Sequence, residues 1–129
     1  MVVDASAFLA ILKGESEEET FKRALALAPV CRMSPVNWFE VAVNSQKAGG
    51  ADIDALEKLG AVIGLAIVPV DESQMRLAYE AWRRFGKGRR HRARLNLGDC
   101  FAYALAKNLD EPLLYKGGDF AHTDVVAAL

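Results

Sequence analysis

Four short apolar stretches, each separated from the next by helix-patterned sequence, constrain this chain more than any other feature. They are "MVV" at the N-terminus, "VCRMS" at 30–34, "LAIVPV" at 65–70 and "PLLY" at 112–115. Strands this apolar have to be covered on both faces, and a strand–helix–strand unit returns as a parallel neighbour. The sequence therefore predicts an α/β fold: an α/β/α sandwich around a central, mainly parallel sheet. "DVVAAL" at 124–129 is a candidate short fifth strand.

The helices between are marked by their ends. "SAFLAILKG" stops at Gly14. "SEEETFKRALALA" opens on a capping-box pattern, Ser16 with Glu19, and sets Phe21, Leu25 and Ala28 on one face. Ser34 caps a helix with Pro35 at its first position, running to Gly49 and Gly50. "DIDALEKLGAVIG" follows, Asp71 with Gln74 opens "ESQMRLAYEAWRRFG", and "LGDCFAYALAKN" is the last. No linker, repeat or low-complexity tract interrupts residues 1–129, which read as a single domain.

Composition excludes several classes. An apolar content of 52% is too high for a disordered chain, and a net charge of −1 gives no overall pull toward nucleic acid or membrane. No apolar run approaches the roughly 20 residues of a membrane span. The N-terminus lacks a basic lead, so a cytoplasmic location is expected. Cys31 and Cys100 sit in apolar contexts and are expected to be buried and reduced.

Four carboxylates stand where solvated acids do not belong. Asp4 lies behind Val2 and Val3 and ahead of an apolar run; Glu40 lies in "NWFEVAV"; Asp99 opens "GDCFAYALA"; Asp119 follows the fourth strand in "LLYKGGDF". Each has an ordinary reading. Asp4 and Asp99 fit helix caps, Glu40 fits a buried ion pair, and Asp119 fits a turn. Together they fit something else. Ligand crevices of parallel sheets lie outside the C-terminal strand ends, where Asp4 and Asp119 fall. Converging carboxylates repel one another unless a cation intervenes. Oxygen ligands suit Mg²⁺ or Mn²⁺, and two histidines without ligand spacing argue against zinc. Such a site suits phosphodiester chemistry. Between Arg83 and Arg94 stand seven of the sixteen basic residues and no acid. That stretch is either a solvated loop or, with Arg89, Arg90, Arg92 and Arg94 beside the acidic pocket, a contact for a polyanion. His91 within it could shuttle a proton, but a loop histidine among arginines reads first as a phosphate or solvent contact.

The segments "MVVDASAFLAIL", "SPVNWFEVAV", "GKGRRHRARLNLGDCFAYALAK" and "EPLLYKGGDFAHTDV" together resemble the PIN-domain ribonucleases, specifically the VapC toxins of VapBC toxin–antitoxin systems. The resemblance implies a metal-dependent endoribonuclease that holds Mg²⁺ or Mn²⁺ with Asp4, Glu40, Asp99 and Asp119. Ser6, two positions past the first Asp, would orient that carboxylate or a water. Many relatives carry an acidic or polar residue where this chain has Gly118, so Asp119 stands alone unless Asp124 helps it. The resemblance further implies an RNA substrate, a homodimer and a VapB-type antitoxin. Trp38, Phe39, Phe8 and Leu12 either face the core or line a groove for an antitoxin helix.

Rival readings are distinguishable. A phosphatase with Asp4 as covalent nucleophile wants an acid at position 6, which is Ser6. A receiver-type signalling domain would use Lys116 but leaves Glu40 and Asp99 unexplained. A non-catalytic module binding RNA or antitoxin would use the arginines alone.

Overall fold

A computed structural model describes residues 1–129. Four two-residue strands form one sheet: β1 (Val2–Val3), β2 (Arg32–Met33), β3 (Ala66–Ile67) and β4 (Leu113–Leu114), in the order β3-β2-β1-β4 and all parallel. The helices are α1 (Ala5–Leu12), α2 (Glu18–Leu27), α3 (Pro35–Asn44), α4 (Ile53–Val62), α5 (Glu72–Phe85) and α6 (Leu97–Leu109). A 3₁₀ turn at Phe120–His122 follows β4.

Consecutive strand residues point to opposite faces, and two residues suffice here to serve two cores. Val2 and Leu113 pack with α5 and α6, on Ala81, Leu95 and Leu105. Val3 and Leu114 pack on the other face with α1 to α4, on Phe8, Phe21 and Met33. The result is the three-layer sandwich that the alternation predicts. Cys31 and Cys100 are buried and unpaired, as expected.

Four details depart from the sequence reading. Ser16 caps nothing: its hydroxyl donates to Glu17, and α2 begins at Glu18 without a side-chain cap. "LAIVPV" is an edge strand with Ile67 exposed, so the most apolar stretch is not doubly covered. Residues 124–129 give one bridge, Leu113 to Ala127, rather than a fifth strand. Asp71 does cap α5 through the Gln74 N–H at 2.8 Å, but Gln74 turns its amide to the Pro69 carbonyl instead of closing the box.

The crossovers run outward from β1 to β2 to β3, then α5 and α6 carry the chain back across to β4 on the far side of β1. The direction of connection reverses between β1 and β4. Asp4 and Lys116 both sit just past the C-terminal ends of these two strands.

Candidate active site

Asp4 is 2% exposed and both caps α1 and faces a pocket. Its Oδ2 accepts the Ser6 N–H at 2.9 Å and the Ser6 hydroxyl at 2.5 Å. Its Oδ1 is turned to the Asn37 amide at 3.4 Å. The two readings of Asp4 were therefore not exclusive, because a carboxylate has two oxygens. Ser6 in turn accepts the Lys116 N–H at 3.0 Å, which locks the Asp4 carboxylate to the loop after β4.

Glu40 comes from the second turn of α3, whose start is fixed by Ser34 accepting the Val36 N–H and by Pro35 at the first position. Its Oε2 accepts from Asn37, one turn earlier, at 3.0 Å. Asp99 is the third residue of α6 and half of a capping box: the Asn96 side chain takes the Asp99 N–H at 2.9 Å while Asp99 Oδ2 takes the Asn96 N–H at 2.9 Å. The cap is thus Asn96, with Asp99 its partner, and Asp99 Oδ1 is left without a hydrogen bond.

These three acids line one pocket of about 370 Å³, with Asn96, Ser6 and Lys47 also in its wall. Burial pushes all three carboxyls up from their ordinary range. The Asp4 charge adds to the rise at Glu40, although the Asn37 amide opposes it. Asp99 is raised to about 7, first by burial and then by the charges of Asp4, Glu40 and Asp119, against the Asn96 N–H. No ion pair of the molecule involves any of the three. As the side chains stand, no three of these acids close into a ligand cage. Its donors are hard oxygens, with no thiol or imidazole in the wall, and that donor set fits Mg²⁺ or Mn²⁺.

The remaining acids lie apart. Asp119 is exposed at the start of the 3₁₀ turn and makes no side-chain cap; it is outside the pocket wall but close enough for its charge to act on Asp99. Asp124 is committed elsewhere, accepting from Tyr103 Oη at 2.7 Å and pairing with Lys107 and Arg84. The ammonium of Lys116 pairs with Glu15 and Glu17, away from Asp4.

The basic stretch is a loop closed at its base, where Lys87 N–H and Leu95 N–H bond to Leu95 and Phe85 carbonyls at 2.8 Å each. Buried Ala93 and the His91 ring, edge-on to Phe85, hold it down. His91 also accepts the Ala93 N–H at 3.1 Å through Nδ1, which stiffens the loop while the half-buried ring stays in the wall of the basic cleft. Lys87, Arg90, His91, Arg92 and Arg94 line a cleft; Arg89 is exposed outside it. The cleft and the acidic pocket share no lining residue, and Arg94 of the one stands two positions before Asn96 of the other. An apolar groove shares Lys87 with the cleft and Asn96 with the pocket.

Residues 1–126 match the PIN domain family model. Ribonuclease VapC42 of Mycobacterium tuberculosis is 44% identical over 126 residues, covering 97% of this chain and 96% of that protein. The chain belongs to the PIN-domain family. Ribonuclease VapC28 of the same organism is 43% identical over 130 residues, covering 100% of this chain and 98% of the relative. Among solved structures, this PIN domain is similar to M. tuberculosis VapC20, described as a Sarcin-Ricin loop cleaving toxin, with TM-score 0.69 and 22% identity over 97% of this chain and 95% of that one. It is also similar to a chain of M. tuberculosis VapBC-5, with TM-score 0.60 and 26% identity over 98% and 92% of the two chains.

Sequence reasoning missed four members of this PIN-domain site: Asn37, Asn44, Lys47 and Asn96. The signal for Asn37 was available, since it is the one polar residue between Pro35 and Glu40, a helical turn before the acid. The signal for Asn96 was its place three residues before Asp99.

Proposed function

We infer that this chain is the toxin of a type II toxin–antitoxin pair and acts as a metal-dependent endoribonuclease. The observation that carries the reading is the meeting of Asp4, Glu40 and Asp99, from three separate elements, in one pocket where none of them is held in an ion pair. Asp4, Glu40 and Asp99 would hold Mg²⁺ or Mn²⁺, with Asp119 reaching in from the 3₁₀ turn. When bound, the cation lowers the pKa of a water and offsets charge on the scissile phosphate. Ser6 fixes the Asp4 carboxylate, and the Asn96 cap fixes Asp99, so both acids are oriented before substrate arrives. Arg90, Arg92 and Arg94 in the basic cleft, with Arg89 on its outer side, hold the RNA phosphates.

Two further surfaces fit this reading. Of the four large residues that either face the core or line an antitoxin groove, Phe8 is fully buried and Leu12 packs on the core. Phe39 is 65% exposed on the lip of the acidic pocket, and Trp38 lines a shallow apolar depression with Leu65 and Ile67. A VapB-type antitoxin segment would cross these two. A homodimer would bury the apolar groove of α5 and α6, where Met75, Tyr79 and Leu97 are exposed.

The pairing of Lys116 with Glu15 and Glu17 disfavours a receiver domain, because the lysine is turned from Asp4. The test is cleavage of total cellular RNA in Mn²⁺ by the wild type and by Asp4→Asn, with both chains expressed alone and beside a candidate antitoxin. Cleavage and growth arrest by the wild type alone are expected. Undiminished cleavage by Asp4→Asn refutes the site assignment.

A further inference from the structure

Asn37 has no solvent exposure, yet its side chain is polar and sits among acids. Its Nδ2 lies 3.0 Å from Glu40 Oε2, 3.0 Å from the Gly98 carbonyl and 3.4 Å from Asp4 Oδ1. Two N–H hydrogens are thus shared among three acceptors on three elements: the start of α1, α3 and the start of α6. The orientation of the amide follows from its neighbours, since reversing it would set an oxygen against three oxygens. That leaves Asn37 Oδ1 buried without a partner, which lowers stability. An apolar side chain of the same size would fill the space without that cost. What an apolar side chain cannot do is donate.

We infer that Asn37 is a positioning residue: its amide holds the Asp4 and Glu40 carboxylates side by side for a divalent cation. The inference rests on the metal reading above. A neutral donor is the suitable group for this task. It bridges two carboxylates while leaving their negative charge in place, whereas a lysine or arginine would neutralise the charge that attracts the cation. Position three residues before Glu40 puts the amide on the same helix face. Gly98 completes the arrangement by its missing side chain, because a Cβ there would lie 2.1 Å from Glu40 Oε1. The Gly98 carbonyl then ties the amide to the residue next to Asp99.

The test measures Mn²⁺ affinity by calorimetry for wild type, Asn37→Leu, Glu40→Gln and the double variant. Asn37→Leu is expected to weaken Mn²⁺ binding about 10- to 100-fold, as loss of a group that orients a ligand does. In the Glu40→Gln background, where one of the two charges is gone, the same substitution should cost little further affinity. A role confined to packing gives equal losses in both backgrounds, and that result overturns the inference. If Asn37→Leu does not fold, Asn37→Ala replaces it, and the Mn²⁺-induced rise in melting temperature over EDTA reads affinity in a weakened fold. Wild-type affinity in a folded Asn37 variant overturns the inference alone. No Mn²⁺ binding by the wild type overturns the metal reading and this inference with it.

Discussion

Asp99→Asn is expected to stabilise the protein at pH 8 when metal is removed, and to do so much less at pH 5. The Asp99 carboxyl titrates at about 7 in the fold, mainly because it is buried and then because Asp4, Glu40 and Asp119 face it, against 3.8 for an ordinary aspartate. Its folded-state pKa is raised, so its favourable contribution is present below pH 3.8 and is lost as pH climbs through about 7. At about 1.4 kcal/mol per pH unit between those values the ceiling is about 4 kcal/mol; solvent screening of a partly exposed carboxyl reduces this to about 2 kcal/mol. The asparagine keeps an oxygen for the Asn96 N–H, so the cap of α6 survives. For a chain of this length, about 2 kcal/mol corresponds to a rise of roughly 6–10 °C in melting temperature. Thermal unfolding in EDTA, followed by circular dichroism at pH 8 and pH 5, measures it. The advantage at pH 5 should be less than half that at pH 8, and Mn²⁺ should favour the wild type instead. A variant less stable than wild type at pH 8 in EDTA, or an equal difference at both pH values, refutes the electrostatic account.

Gly98→Ala leaves every acid in place but sets a Cβ within 2.2 Å of the Glu40 carboxylate, the free end of a flexible side chain. It should fold with little loss of stability and cleave RNA about 100-fold more slowly, as a displacement of about 1 Å at a reacting group does; wild-type cleavage would show that Glu40 is not needed where it stands. Replacing Arg90 and Arg92 with alanine should reduce the slope of log K against log salt by about 0.7 per lost contact with single-stranded RNA. An unchanged slope returns the loop to plain solvation. Tyr79→Glu with Leu97→Asp should convert a dimer to a monomer in sedimentation velocity, because both are exposed in the apolar groove of α5 and α6; an undisturbed dimer places the interface elsewhere.

The layers and the parallel sheet were legible because four apolar stretches alternate with helix-patterned sequence. That β1 and β4 lie side by side was not legible, because the alternation fixes no strand order. The start of α2 was not legible, since five consecutive residues from Glu15 to Glu19 offer polar starts and Lys116, a hundred residues away, recruits Glu15 and Glu17. "LAIVPV" misled because apolarity reports the chance of burial and not the place in the sheet. Asp4, Glu40 and Asp99 stood out as acids in apolar surroundings, a local signal. Asn37 and Gly98 did not, because what they do depends on each other across 61 positions, and no local pattern carries that. Phe8 and Phe39 look alike in sequence, yet one is core and the other sits on the lip of the pocket.

The sheet divides the interior into two separately packed cores, and the acids are divided with them. Asp4 and Glu40 stand on elements that pack with α1 to α4, while Asp99 stands on α6 of the opposite layer. The Asn37 bond to the Gly98 carbonyl is the side-chain strut that crosses between α3 and α6 beside them. A cation shared by these acids would therefore cross-brace the two layers, and loading the site should slow amide hydrogen exchange in the first turns of α3 and α6 together. Sliding one layer past the other would change the carboxylate spacing directly. The pocket is thereby a gauge of how the two halves of the molecule sit against each other.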